Sequence, residues 1–165
     1  MRTFLAIDFG AYFEEDIKTV ISSLCPSRAK VKWTNPASAH MTLHFFGDTS
    51  ERDIHRIGSV ISSSKALINP PLSLSLKNIG FFPSAGKPRV VWLGIGGDAD
   101  RLVLLRNMLV ADLAAHGFSV ESRPFVPHIT LGRVKSFNHD TAFLESVQTC
   151  SIQPRKKMTI SKVIL

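Results

Sequence analysis

Pro36-Ala37-Ser38-Ala39-His40-Met41-Thr42-Leu43 returns later in the chain as Pro124-Phe125-Val126-Pro127-His128-Ile129-Thr130-Leu131. Both stretches read Pro-x-x-x-His-x-Thr-Leu. With 9 Thr and 16 Leu in 165 residues, chance puts x-Thr-Leu after a given His about 0.5% of the time. Two such cases among six His would arise in roughly one chain of this composition in a few thousand. The repeat is therefore a signal. On a strand, residues two apart share a face. His40 then stands beside Thr42 and His128 beside Thr130, while Met41, Leu43, Ile129 and Leu131 turn to the core. Two related halves placed face to face would bring both imidazoles and both hydroxyls into one cleft.

Working outward, Phe4 to Ile7 reads as a buried first strand. Phe13, Ile17, Val20, Ile21 and Leu24 follow at helical spacing, with Glu14, Glu15 and Asp16 favourably placed at the positive helix start. Pro26 ends that helix. Val31 to Trp33 reads as a short strand, and His40 to Phe46 as another, closed by Gly47-Asp48. Ser50 to Asp53 opens a second helix whose stripe is Ile54, Ile57 and Ile61. Leu72, Leu74 and Leu76 alternate with Ser73, Ser75 and Lys77, a half-buried strand. Arg89 to Ile95 is a strand, Leu102 to Leu113 a helix stopped at Gly117, and Phe125 to Val134 a strand. Asn138 is the expected cap of a short helix through Phe143, Leu144 and Val147. Met158 to Leu165 closes as a strand. Short strands interleaved with helices predict an α+β fold with antiparallel sheets, in a single domain over 1–165. Gly94-Ile95-Gly96-Gly97 lacks dinucleotide-binding spacing, and no glycine-rich phosphate loop follows a strand.

Twenty basic against thirteen acidic side chains give a net charge of +7. Such a field draws anionic partners, nucleic acid above all. The charge is scattered, with no basic run longer than Arg155-Lys156-Lys157, which argues against a polybasic tail. Cys25 and Cys150 have no close partner in sequence and are expected as free thiols in a reducing compartment. Met1 to Ile7 is too short for a signal-peptide core, and no apolar stretch reaches membrane-spanning length. A cytoplasmic monomer with no membrane association is expected.

A histidine pair can keep one neutral ring as base and one imidazolium as acid near neutral pH. Threonine hydroxyls can donate to the non-bridging oxygens of a phosphate. His40 and His44, four apart, would make a zinc pair only on a helix, and Met41 stands where a metalloprotease motif needs Glu. No metal or other cofactor is expected.

With these residues in view, the chain resembles the 2H phosphoesterase superfamily, and within it the bacterial RNA 2′,3′-cyclic phosphodiesterases, also called 2′-5′ RNA ligases. His40-Met41-Thr42-Leu43-His44-Phe45 fits that family's His-x-Thr-x-x-Phe, and His128 to Arg133 fits its His-x-Thr-x-x-Arg. Phe4 to Ile7, Val31-Lys32-Trp33, Phe82-Pro83, Pro88 to Gly94 and Arg123-Pro124-Phe125 are further similar stretches. Family members usually continue past Met158 to Leu165 into another strand, a segment that is here trimmed, naturally absent or replaced by a neighbouring chain, which leaves the completeness of one sheet open.

The resemblance implies a bilobal, pseudo-twofold fold, with two antiparallel sheets lining a central cleft and helices outside. It implies hydrolysis of RNA 2′,3′-cyclic phosphate ends to 2′-phosphates, with 2′-5′ ligation as a secondary activity. His128 would accept a proton from water, His40 would donate one to the departing 3′ oxygen, and Thr42 and Thr130 would hold the phosphoryl oxygens. Arg133, Trp33 and Phe45 are the remaining candidate substrate contacts. On unbroken strands, however, Arg133 and Phe45 would face away from the histidines, which suits Arg133 to an ion pair and Phe45 to the core. Trp33 suits either a stacking platform or a core position. Two other readings stay open: a phosphodiesterase for 2′-5′ oligonucleotides or ADP-ribose cyclic phosphate, and a non-catalytic module that binds RNA ends.

Overall fold

The computed structural model describes residues 1–24, 26, 28–64, 70–121, 123–152 and 156–165. Strand β1 (Arg2–Gly10) leads into helix α1 (Glu14–Ser23), whose first turn carries Glu14, Glu15 and Asp16. Lys18 bridges Glu14 and Glu15 at 2.7 and 2.9 Å. Strand β2 (Lys30–Trp33) and a 3-10 turn at Pro36–Ser38 come next. Strand β3 (Ala39–Asp48), helix α2 (Glu51–Ser63), strands β4 (Leu72–Phe82) and β5 (Val90–Gly97), and helix α3 (Ala99–Ala115) follow. The chain then forms strand β6 (His128–Ser136), helix α4 (Thr141–Thr149) and strand β7 (Met158–Ile160). Ser50 caps α2 by accepting from the Asp53 amide.

The fold is α+β with two antiparallel sheets, unequal in size. β1 pairs with β3 in one, and the other runs β2-β6-β5-β4-β7. One core joins them. Leu5, Ile7, Met41 and Leu43 come from the small sheet, Leu93, Ile129 and Leu131 from the large one, and Leu102, Leu105 and Leu109 from α3. Each such side chain stabilises by about 1.5–3 kcal/mol once buried. β3 and β6, the two motif strands, run against each other at the seam without sharing a ladder.

Three local expectations are corrected. Residues 125–127 are not strand: β6 starts at His128. Asp140, not Asn138, caps α4, accepting from the Phe143 amide and also from the Arg28 and Ala29 amides. A carboxylate acceptor satisfies three amides at once, whereas Asn138 adopts a left-handed φ of 49° and donates to the Arg28 carbonyl. The closing segment divides: β7 borders β4, and Ile164 then exchanges two backbone hydrogen bonds with Ala6 of β1. It thus touches both sheets. Among the described residues, no helix is long and apolar enough to cross a membrane. Cys150 is a free thiol, 3.5 Å from the Ser23 hydroxyl, and Cys25 lies outside the described residues.

Candidate active site

The motif strands carry the same backbone irregularity at the same place. In β3, Thr42 pairs with Ala6 and His44 with Leu5, so Leu43 is an extra residue. In β6, Thr130 pairs with Trp92 and Gly132 with Val91, so Leu131 is extra. A bulge resets the alternation of faces. Leu43-His44 and Leu131-Gly132 are accordingly consecutive buried pairs, and Phe45 and Arg133 are turned outward. These two side chains therefore share a face with His40-Thr42 and His128-Thr130. This overturns the expectation from unbroken strands. Phe45 is 46% exposed rather than core, with the Arg2 guanidinium 5.4 Å from its ring centre. Arg133 is exposed opposite Val90, and among the described residues no ion pair includes it.

Both histidines are held alike. His40 Nδ1 lies 3.1 Å from the Ser38 carbonyl, and His128 Nδ1 lies 2.7 Å from the Val126 carbonyl, each two residues upstream. A carbonyl only accepts, so each ring carries a proton on Nδ1 and leaves Nε2 available for proton transfer, as acceptor in the neutral ring and as donor in the imidazolium. Their surroundings differ. His40 is exposed and stacks on Phe4 at 5.3 Å between centroids. His128 is half-buried, edge-on to Phe82 at 4.9 Å and near Trp92 at 6.3 Å. Burial holds the His128 pKa below its ordinary 6.5, against the smaller upward pull of the Val126 hydrogen bond. Trp92 reaches that position because Gly80 faces it across the ladder. A Cβ there would come within 2.5 Å of the indole.

Thr42, Phe45 and His128 line one cavity of about 890 Å³, bounded also by Phe82, Lys87, Arg89, Val90, Arg106, Glu121 and residues 123–126. His40 stands outside that lining, one pleat from Thr42, and Thr130 one pleat from His128. Arg106 is buried beneath the cavity. It donates from Nε to the Leu43 carbonyl at the bulge and lies 5.2 Å from the Phe125 ring centre. Its charge thus locks the bulge and offers anions a positive floor. His44 points inward, edge-on to Phe46 and 3.2 Å from the Ser119 carbonyl, so the bulge separates it from His40. Burial lowers its pKa as well. Among the described residues no three His, Cys, Asp or Glu side chains gather as metal ligands.

Of its two readings, Trp33 has the packing contacts of the core one. It pairs with Gly132 on the core-facing side of β6, meets Phe143 edge-on at 6.5 Å, and a Cβ at Gly132 would come within 2.8 Å of its ring. Phe4, Phe82, Trp92 and Arg106 were not legible as site residues. Phe4 and Phe82 carried only aromatic character, and an arginine within an apolar helical stripe was the one available signal for Arg106.

Comparison with known proteins places the chain in a family. Over 137 residues the chain is 36% identical to an RNA 2′,3′-cyclic phosphodiesterase of Thermotoga maritima, covering 83% of this chain and 72% of that one. The same-named protein of Methanothermobacter thermautotrophicus is 31% identical over all of this chain and 88% of its own. The crystal structure of E. coli LigT complexed with 3′-AMP is similar with a TM-score of 0.69 and 27% identity, over 96% of this chain and 83% of that one. A family model described as the 2′-5′ RNA ligase superfamily matches residues 14–165. Two equivalent His-x-Thr bulges, which contribute Thr42 and His128 to one basic cavity, and likeness along the whole chain make this protein a member of the 2′-5′ RNA ligase superfamily.

Proposed function

We propose that the chain is an RNA 2′,3′-cyclic phosphodiesterase that opens the cyclic phosphate to a 2′-phosphate, with His40 and His128 transferring the protons. The observation that carries this reading is the matched Nδ1–carbonyl anchoring of the two histidines. It leaves each a free Nε2 on the face that also bears a threonine hydroxyl. Half-buried and held neutral, His128 is the base that takes a proton from the attacking water. The bond from phosphorus to the 3′ oxygen breaks as the water oxygen bonds to phosphorus, and His40, acting as the imidazolium, protonates the departing 3′ oxygen from Nε2. Thr42 and Thr130 donate to the non-bridging oxygens, and Arg133 supplies charge beside them. Phe45 forms an apolar wall for the nucleoside. An RNA 5′-hydroxyl in place of water would give a 2′-5′ linkage by the same transfers.

Incubation with a 2′,3′-cyclic mononucleotide in EDTA tests the reading. Turnover to the 2′-phosphate is expected. A 3′-phosphate product would refute the assigned leaving group, and no turnover on this or on an RNA with a cyclic end would favour a module that only binds such ends.

A further inference from the structure

The charge of the molecule is not evenly spread. The seven residues Lys30, Lys32, Lys77, Lys87, Arg89, Arg133 and Lys135 belong to the large sheet or to its β4–β5 connection, and no Asp or Glu does. Two of them line the cavity, and two more follow in the adjoining ladder. Lys32 lies opposite Arg133 in the β2–β6 ladder, Arg133 lies opposite Val90, and Val90, Arg89 and Lys87 line the cavity. The other cations there have partners: Arg106 bonds the Leu43 carbonyl, and Arg123 reaches Glu121 at 2.6 Å. Among the described residues, Lys87 and Arg89 are exposed and neither enters an ion pair. Cations grouped without counter-charge repel one another, and an external anion relieves that cost.

Resting on the proposed function, we propose that Lys87 and Arg89 bind the phosphodiester 5′ to the terminal nucleotide, so that the preferred substrate is a single-stranded oligonucleotide rather than a cyclic mononucleotide. Phe45, Phe82 and Val126 line the same cavity as Thr42, His128, Lys87 and Arg89, so a nucleoside among the first three, with its cyclic phosphate at Thr42 and His128, leaves Lys87 and Arg89 for the preceding phosphate. Lysine and arginine on an open rim read backbone charge without reading base identity, so this contact selects for length and not for sequence.

The test compares a 2′,3′-cyclic mononucleotide with a trinucleotide ending in the same cyclic nucleotide, using the wild-type chain and Lys87→Ala/Arg89→Ala. The wild type favours the trinucleotide in kcat/KM. The double variant loses about tenfold of that preference through KM, and its log–log salt slope for trinucleotide binding, followed by fluorescence anisotropy, becomes shallower by about 1.4. Equal losses on both substrates, or an unchanged slope, would overturn the proposal. Failure of the wild type to hydrolyse either substrate would refute the catalytic reading instead, while the anisotropy comparison still decides the role of Lys87 and Arg89.

Discussion

The His40 half and the His128 half share one backbone device and place it in different surroundings. Each has a carbonyl two residues upstream that fixes the ring, a threonine on the same face, and a bulged leucine that turns the sixth motif residue towards the site. They diverge in what surrounds the ring. His40 lies open on Phe4 in a two-stranded sheet, whereas His128 is walled by Phe82 and Trp92 in a five-stranded one. A repeated motif thus sets geometry twice, and its neighbours make the two surroundings unequal: burial lowers the pKa of His128.

Removing either imidazole breaks the pair most severely. His40→Ala and His128→Ala are each expected to lower kcat on a 2′,3′-cyclic nucleotide by about 10³-fold, and the double variant by little more, because two groups acting in one step are not additive. Single-turnover assays of the three variants check this. Next come Thr42→Ala and Thr130→Ala, expected to cost about 10–100-fold in kcat with KM less affected, since their hydrogen bonds strengthen as charge moves onto phosphoryl oxygen. A loss confined to KM would make them binding residues only.

A subtler change sharpens the contrast between the rings. Because burial depresses the His128 pKa, the basic form persists below pH 6.5, and kcat/KM should stay on its plateau down to that side of 6.5. Phe82→Ala admits water beside the ring, so the acid limb should move up towards 6.5, with less than a tenfold loss at pH 7. The same depression has a stability consequence, shared by His44. Below pH 6.5 the unfolded chain takes up protons that the folded chain resists, so the melting temperature should fall as pH drops from 7 to 5. His44→Gln, which retains a donor towards Ser119, should flatten that fall.

Much of this was legible because it depends on periodicity. His40 with Thr42, His128 with Thr130, and the inward Met41 and Ile129 follow from the two-residue repeat of a strand, and the four helices from their apolar stripes. The facing of Phe45 and Arg133 was not. A bulge is set by the pairing of β3 with β1 and of β6 with β5, and non-local register leaves no mark in either strand taken alone. The unequal sheets and the divided path of residues 158–164 were hidden for the same reason. Trp33 was ambiguous until Gly132 appeared opposite it, and the Asn138 cap lost to Asp140 because one carboxylate serves the Phe143, Arg28 and Ala29 amides together, a non-local demand.

The direct test of the central claim is to follow the ring signals of all six histidines by NMR while titrating a nucleoside 2′-phosphate. His40 and His128 should shift together with one dissociation constant, and the exposed His55, His116 and His139 should stay in place. Movement of only one of the two rings, or saturation at separate concentrations, would contradict a single phosphate shared between them.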